Sequence, residues 1–394
     1  MNSQTQPDIR VTRIAVKTFF FISGFVFASW ASRIPSIQQK LQLNDAQLGS
    51  LLFALPVGLL TSMPLTAYLI GRFSSRSILL FGVLSYILLL ASLGQADTFW
   101  QMAILLFCFG AARNLFNISI NTQSVGVQNL NKKSIISSFH GIWSLAGLSG
   151  AALASVLIGI GLSTAQHFVL VCCFVLLIVP LAWSKTLRNP ARSPAQKPVF
   201  FPPNKRLLSL GLIAFMSMFC EGTMSDWSGI YFKKVVLVPN EYVTIGYLIY
   251  LGFMTIGRLT GDWVVNQIGE KKLLVMSGLL IATGAGLLAL FPYVLTACMG
   301  FMLTGLGVSC VIPFLFLQAS KVSGTPSGVA IATVSAIGYL GFLSGPPLVG
   351  FLAHYLGLTR AFLFIMIIGL LMASIILNLR NIHWNLQTEE AHEK

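Results

Sequence analysis

Twelve stretches of this chain stay apolar for about twenty residues or more, and that repetition limits the possible folds more than any other feature. They run at 14–34, 47–70, 77–95, 99–123, 135–160, 166–184, 207–232, 242–265, 272–291, 293–318, 328–355 and 359–379. A helix rising 1.5 Å per residue needs about 20 apolar residues to cross a hydrocarbon core about 30 Å thick. Barrel strands would alternate over about ten residues, and no such alternation is present. Composition agrees, with 55% hydrophobic and 9% charged residues. A soluble domain carries about 25% charged residues, so this chain could not solvate its surface. An all-α integral membrane protein with twelve transmembrane helices is expected.

The net charge of +14 is distributed in a way that argues against a nucleic-acid partner. With the N-terminus inside the cell, inner segments hold 18 of the 25 Lys and Arg residues. Outer loops hold Arg33, Lys40, Lys233, Lys234 and Arg360, and two more, Arg113 and Arg258, fall within spans. That is the positive-inside pattern, so the basic excess reads as topology, with both termini cytoplasmic. The first apolar run is too long for a cleavable signal and is expected to remain as an anchor. All six cysteines lie within spans, without disulfide or zinc spacing. No metal or cofactor is expected.

The one conspicuous break is "KTLRNPARSPAQKPVFFPPNKR", residues 185–206. As a cytoplasmic linker it divides the chain into six-helix bundles at 1–184 and 207–380, leaving a cytoplasmic tail at 381–394. The halves look duplicated. At a shift of 195, "LAGLSGAALASVL" (145–157) meets "LGFLSGPPLVGFL" (340–352), and Gln123 meets Gln318. At a shift of 197, "FASWAS" meets "MSDWSG", pairing Trp30 with Trp227.

Parallel six-helix repeats joined in this way suggest a secondary transporter. Over nearly its full length the chain resembles the major facilitator superfamily. The strings "FASWASRIP", "LNDAQLG", "SSFHGIWSLAG", "EGTMSDWSG" and "GRLTGD" further resemble a bacterial branch called MosC-like, after a rhizopine-transport protein. The resemblance implies two pseudo-symmetric six-helix bundles in a bacterial inner membrane, functioning as a monomer. It also implies a cavity lined by helices one, five, seven, eight and eleven. The chain departs from the superfamily's loop motif between helices two and three, where "AYLIGRFSSR" puts Gly71 in place of the usual acid but keeps Arg72 and Arg76. In the second half Asn266 stands where the acid is expected. Arg258 and Asp262, four apart on one helical face, offer a gate contact in its place or a static ion pair.

Two of the eleven acids, Glu221 and Asp226, lie in the apolar seventh span. Counting from Leu207, Glu221 is 14 residues in, about 21 Å at 1.5 Å per residue. That places it beyond the midplane, with Asp226 near the outer boundary. Five residues turn a helix through about 140° from face to face, so the two acids are expected to do separate jobs. Acids within membrane spans are expensive and mark function by default. Both are proton-coupling candidates, and a proton is the expected coupling ion. The alternative for Glu221 is a structural hydrogen bond, and for Asp226 solvation or a pair with Lys233.

Helix four carries Asn114, Asn117 and Asn121 on one stripe beside Arg113. Amides suit a hydroxyl-rich ligand but also bind membrane helices together. Trp143, Tyr250, Gln318 and Tyr339 complete the candidate binding residues. Trp30, Trp227, Arg72, Arg76, Arg258 and Asp262 are the gating candidates, with an interfacial aromatic belt the other reading of the two tryptophans. His140 is a candidate pH sensor, or a structural histidine. The expected function is a carrier for a small polar solute such as a sugar or inositol-like compound, with the lipid bilayer its other partner. An exporter of amphipathic or drug-like compounds is the alternative. No H-E-x-x-H, G-x-S-x-G or G-x-x-x-x-G-K-[ST] motif is present, so neither an enzyme nor a nucleotide-driven pump is expected.

Overall fold

A computed structural model describes residues 9–130, 135–188, 205–322, 325 and 327–379. Among them, twelve helices are long and apolar enough to cross a membrane. In the first half these are α1 (Ile9–Ala31), α2 (Asp45–Ile70), α3 (Ser75–Leu93), α4 (Phe99–Asn129), α5 (Ser138–Gly159) and α6 (Thr164–Ser184). The second half holds α7 (Lys205–Val236), α8 (Asn240–Ile268), α9 (Glu270–Leu290), α10 (Val294–Ser320), α11 (Val329–Leu356) and α12 (Leu358–Asn378). The all-α, twelve-span expectation therefore holds. Two compact units result, residues 1–196 with 240–244 and residues 197–239 with 245–394. Most of the expected linker, 189–204, and the tail, 381–394, lie outside the described residues.

Local chemistry sets the helix ends. Asn44 and Gln47 form a reciprocal capping box at the start of α2, and Ser163 and Gln166 do the same at α6. Each box satisfies backbone donors that a helix start leaves open. Gly269, at φ 82°, joins α8 to α9 in a single residue, a left-handed conformation that favours glycine. The second span breaks at Ser62 ahead of Pro64, and the tenth at Cys310 ahead of Pro313. Proline lacks the N–H that would continue the ladder. Several helices outrun the apolar stretches that announced them, since backbone bonding continues into polar residues such as Arg10 and Arg13 of α1.

The two units repeat one packing scheme. In the first, α1 packs on α5, α2 on α4, and α3 on α4 and α6. In the second, α7 packs on α11, α8 on α10, and α9 on α10 and α12. Glycine permits the closest crossings. A Cβ at Gly58 would overlap the Phe107 carbonyl, and one at Gly341 the Phe215 carbonyl. Small residues let backbones approach where water supplies no hydrophobic drive between helices.

Polar ties repeat at the same offset of 195. The Gln123 amide donates to Ser75 Oγ (2.9 Å) at the start of α3 and to the Leu187 carbonyl (3.0 Å). The Gln318 amide donates to the Glu270 carboxylate at the start of α9. Arg76 Nη2 donates to the Trp183 and Ser184 carbonyls (both 3.2 Å), ending α6, and Lys271 Nζ to Leu377 (2.9 Å), ending α12. Cations at helix C-termini satisfy open carbonyls and oppose the dipole.

Candidate functional site

In the second unit the site is built on α7 and α8. Glu221 and Arg258 meet across these helices, Oε1 to Nη2 at 3.5 Å, with side chains 18% and 30% exposed. Arg258 was expected to pair with Asp262 along its own helix. It also reaches Glu221 on the neighbouring helix, and Asp262, four residues on, is exposed. Along the i, i+4 ridge of α8, Tyr250 and Met254 precede Arg258, and both are buried. The Tyr250 hydroxyl is buried and has no hydrogen-bond partner among the described residues. Cys310, where α10 breaks, donates to the Gly257 carbonyl (3.2 Å). The result is an ion pair with a buried phenol beside it, in a span otherwise short of charge.

Asp226 is half-buried on α7. Trp227 next to it is fully buried, with its indole N–H unpartnered among the described residues. Trp30 is equally buried, its ring 6.2 Å from Phe109 and 6.4 Å from Phe168. Neither tryptophan sits on an exposed interfacial belt. Tyr339 is exposed on α11. Gln318 is buried and spends its amide on Glu270, a tie within the unit.

The first unit separates the asparagine stripe into three roles. Asn114 is buried and donates to Ser62 Oγ and Thr66 Oγ1 (both 3.1 Å), holding α4 against the broken part of α2. Asn117 is half-buried and accepts from Ser23 Oγ of α1 (2.8 Å). Asn121 is exposed and donates to the Asn117 carbonyl of its own helix (2.8 Å). Arg113, 9% exposed, lies with its guanidinium carbon 3.8 Å from the centre of the Phe27 ring. Trp143 is half-buried on α5, and His140 is exposed with its ring 5.4 Å from Phe20. Of the loop cations, Arg72 bonds the Tyr68 hydroxyl of its own helix (2.7 Å). Arg76 stacks 4.4 Å over Trp183 besides capping α6. No cluster of metal-binding side chains occurs among the described residues.

One pair was not singled out from sequence. Arg33 Nε donates to His167 Nδ1 (3.0 Å), both side chains buried, with Arg33 Nη2 and His167 Nε2 unpartnered among the described residues. Burial lowers the Arg33 pKa to about 10, because desolvation disfavours the charged form. The residues are 134 positions apart, and no local pattern links them.

Comparison with known proteins agrees with this architecture. The family model of the Major Facilitator Superfamily matches residues 18–329. An uncharacterized MFS-type transporter of Yersinia pestis is 33% identical over 357 residues, 91% of this chain and 92% of that protein. Membrane protein MosC of Rhizobium meliloti is 30% identical over 369 residues, covering 94% of this chain and 90% of the relative. Among solved structures, a mutant of the nucleoside transporter NupG superposes with a TM-score of 0.79 at 14% identity, over 93% of this chain and 99% of that one. An inward-facing bacterial homolog of the human lysosomal transporter Spinster gives 0.74 at 14% identity, over 94% and 97%. With twelve spans, a repeated six-helix scheme and a family match over most of its length, this chain belongs to the major facilitator superfamily.

Proposed function

We propose that the protein is a secondary carrier that moves a small polar solute across a bacterial inner membrane by alternating access, with proton movement coupled to the solute at Glu221. The observation that carries the coupling is the Glu221–Arg258 contact. A proton arriving at Glu221 neutralises one member of that pair, so proton binding weakens the tie between Glu221 and Arg258. Two partly desolvated charges attract strongly when paired and are costly when separated. Proton occupancy therefore biases the packing of α7 against α8, the type of two-state element that coupling requires. The buried Tyr250 hydroxyl offers a hydrogen-bond partner when that tie weakens. Asp226, further along α7, acts at the outer mouth.

Solute contacts come from Asn117 and Asn121, which keep exposure, and from Trp143. Asn114 and Gln318 serve the packing of their own units. Both termini lie in the cytoplasm, and the carrier works as a monomer with lipid and solute its only required partners. The test is uptake by proteoliposomes under an inward proton gradient, with radiolabelled sugars, inositols and sugar acids. Accumulation of one solute, abolished by a protonophore, is expected. Equal filling with and without the gradient would overturn the coupling.

A further inference from the structure

Among the described residues of its unit, no side chain answers the charge of Arg113. Residues 1–196 contain three acids, Asp8, Asp45 and Asp97. Asp8 lies outside the described residues. Asp45 opens α2 and accepts from Gln38 Nε2, and Asp97 pairs with Lys40 at 2.8 Å just before α4. Arg113 stands sixteen residues beyond Asp97, about 24 Å along the chain at the helical rise. Glu241, the acid in the 240–244 segment, is exposed beside Gly159 at the end of α5. Arg113 makes no ion pair or hydrogen bond among the described residues, and its Nε is buried without a partner. Buried cations are normally paired.

The surroundings of Arg113 suit an anion. Phe27 covers the guanidinium at 3.8 Å, a contact that desolvates one side of the group and leaves its N–H edge to point elsewhere. The Tyr86 hydroxyl, within electrostatic range of Arg113, is buried without a hydrogen-bond partner among the described residues. One turn along α4, the Asn117 carbonyl oxygen is taken by Ser23. Its NH₂ group makes no hydrogen bond among the described residues. A planar guanidinium fork matches a carboxylate bidentately, and a free amide one turn away matches a hydroxyl.

We propose that the transported solute bears a carboxylate, that Arg113 receives it, and that Asn117 reads a neighbouring hydroxyl, so that the substrate class is a hydroxylated organic acid of sugar-acid type. This rests on the reading of the chain as a solute carrier. The test is titration of the purified full-length protein, read by tryptophan fluorescence, with glucuronate, galacturonate and gluconate against glucose, galactose and myo-inositol. One acid is expected to bind at least ten-fold tighter than its neutral counterpart. Arg113→Gln should erase that preference while melting at the same or a higher temperature, since it removes a charge without a counter-charge. Arg113→Lys should keep part of it. The proposal is overturned if Arg113→Gln binds the acid as wild type does, if neutral solutes bind as tightly as acids, or if no acid binds. It is equally overturned if Arg113→Gln lowers the melting temperature and leaves affinity intact, the mark of a structural arginine. Binding of a neutral solute, lost in Asn117→Ala and untouched by Arg113→Gln, would remove the anion and keep the carrier. Absence of binding and uptake for every solute would remove both.

Discussion

Arg258 Nη2 lies 3.5 Å from Glu221 Oε1, an ion pair that joins α7 to α8 while leaving 30% and 18% of the two side chains exposed. That partial exposure sets its energetics between a surface pair, worth about 0–1 kcal/mol, and a buried one, whose disruption costs about 3–5 kcal/mol. Glu221→Gln or Arg258→Gln alone should destabilise the protein by roughly 1–3 kcal/mol, since each removes one member of a partly buried pair. The double variant should recover most of that loss. Thermal unfolding in detergent of all four proteins measures the coupling. Additive losses would show that the two groups do not interact.

The Gln318–Glu270 tie predicts a second stability effect. Glu270 is 2% exposed, its Oε1 has no partner among the described residues, and Gln318 bonds Oε2. Gln318→Ala would remove a hydrogen bond to a charged group, at a cost of about 1.5–3 kcal/mol. A drop in melting temperature with unchanged solute affinity is expected. Loss of affinity at full stability would return Gln318 to the binding site.

Asn114 and Asn117 should separate cleanly. Asn114→Ala leaves the Ser62 and Thr66 hydroxyls without their donor, so roughly 1–2 kcal/mol of stability is lost while solute affinity holds. Asn117→Ala is expected to weaken solute binding about ten-fold or more with little change in stability. Paired melting and binding curves distinguish the two. A reversed result would exchange their roles.

At Gly341 a side chain has nowhere to go, because a Cβ would overlap the Phe215 carbonyl of α7. Gly341→Val should force α7 and α11 apart and sharply reduce monodisperse protein on size-exclusion chromatography. Wild-type yield and melting temperature would contradict the close crossing.

The spans, the duplication and the sparse intramembrane charges were legible in the sequence because each is a local or periodic signal. Twelve apolar stretches announce twelve helices, and the offset of 195 that aligns Gln123 with Gln318 also aligns Ser75 with Glu270. Partners were less legible. Glu221 stood out as an acid in an apolar run, but Arg258, 37 residues on, is selected by how α7 packs on α8. Arg33 and His167 meet across a still longer gap. The stripe of Asn114, Asn117 and Asn121 followed from helical spacing, yet Ser62 and Thr66 on another helix decide that Asn114 is used for packing. Residue counting placed Trp30 and Trp227 by depth, and depth alone does not tell which way a ring faces. Both are buried.

The most direct test of the central claim is solute-driven proton movement into proteoliposomes that carry the pH dye pyranine, comparing wild type with Glu221→Gln. For a solute that both proteins bind and exchange in counterflow, lumenal acidification is expected with wild type and none with Glu221→Gln. Acidification at the wild-type rate by Glu221→Gln would show that the proton travels elsewhere and that the Glu221–Arg258 pair is structural.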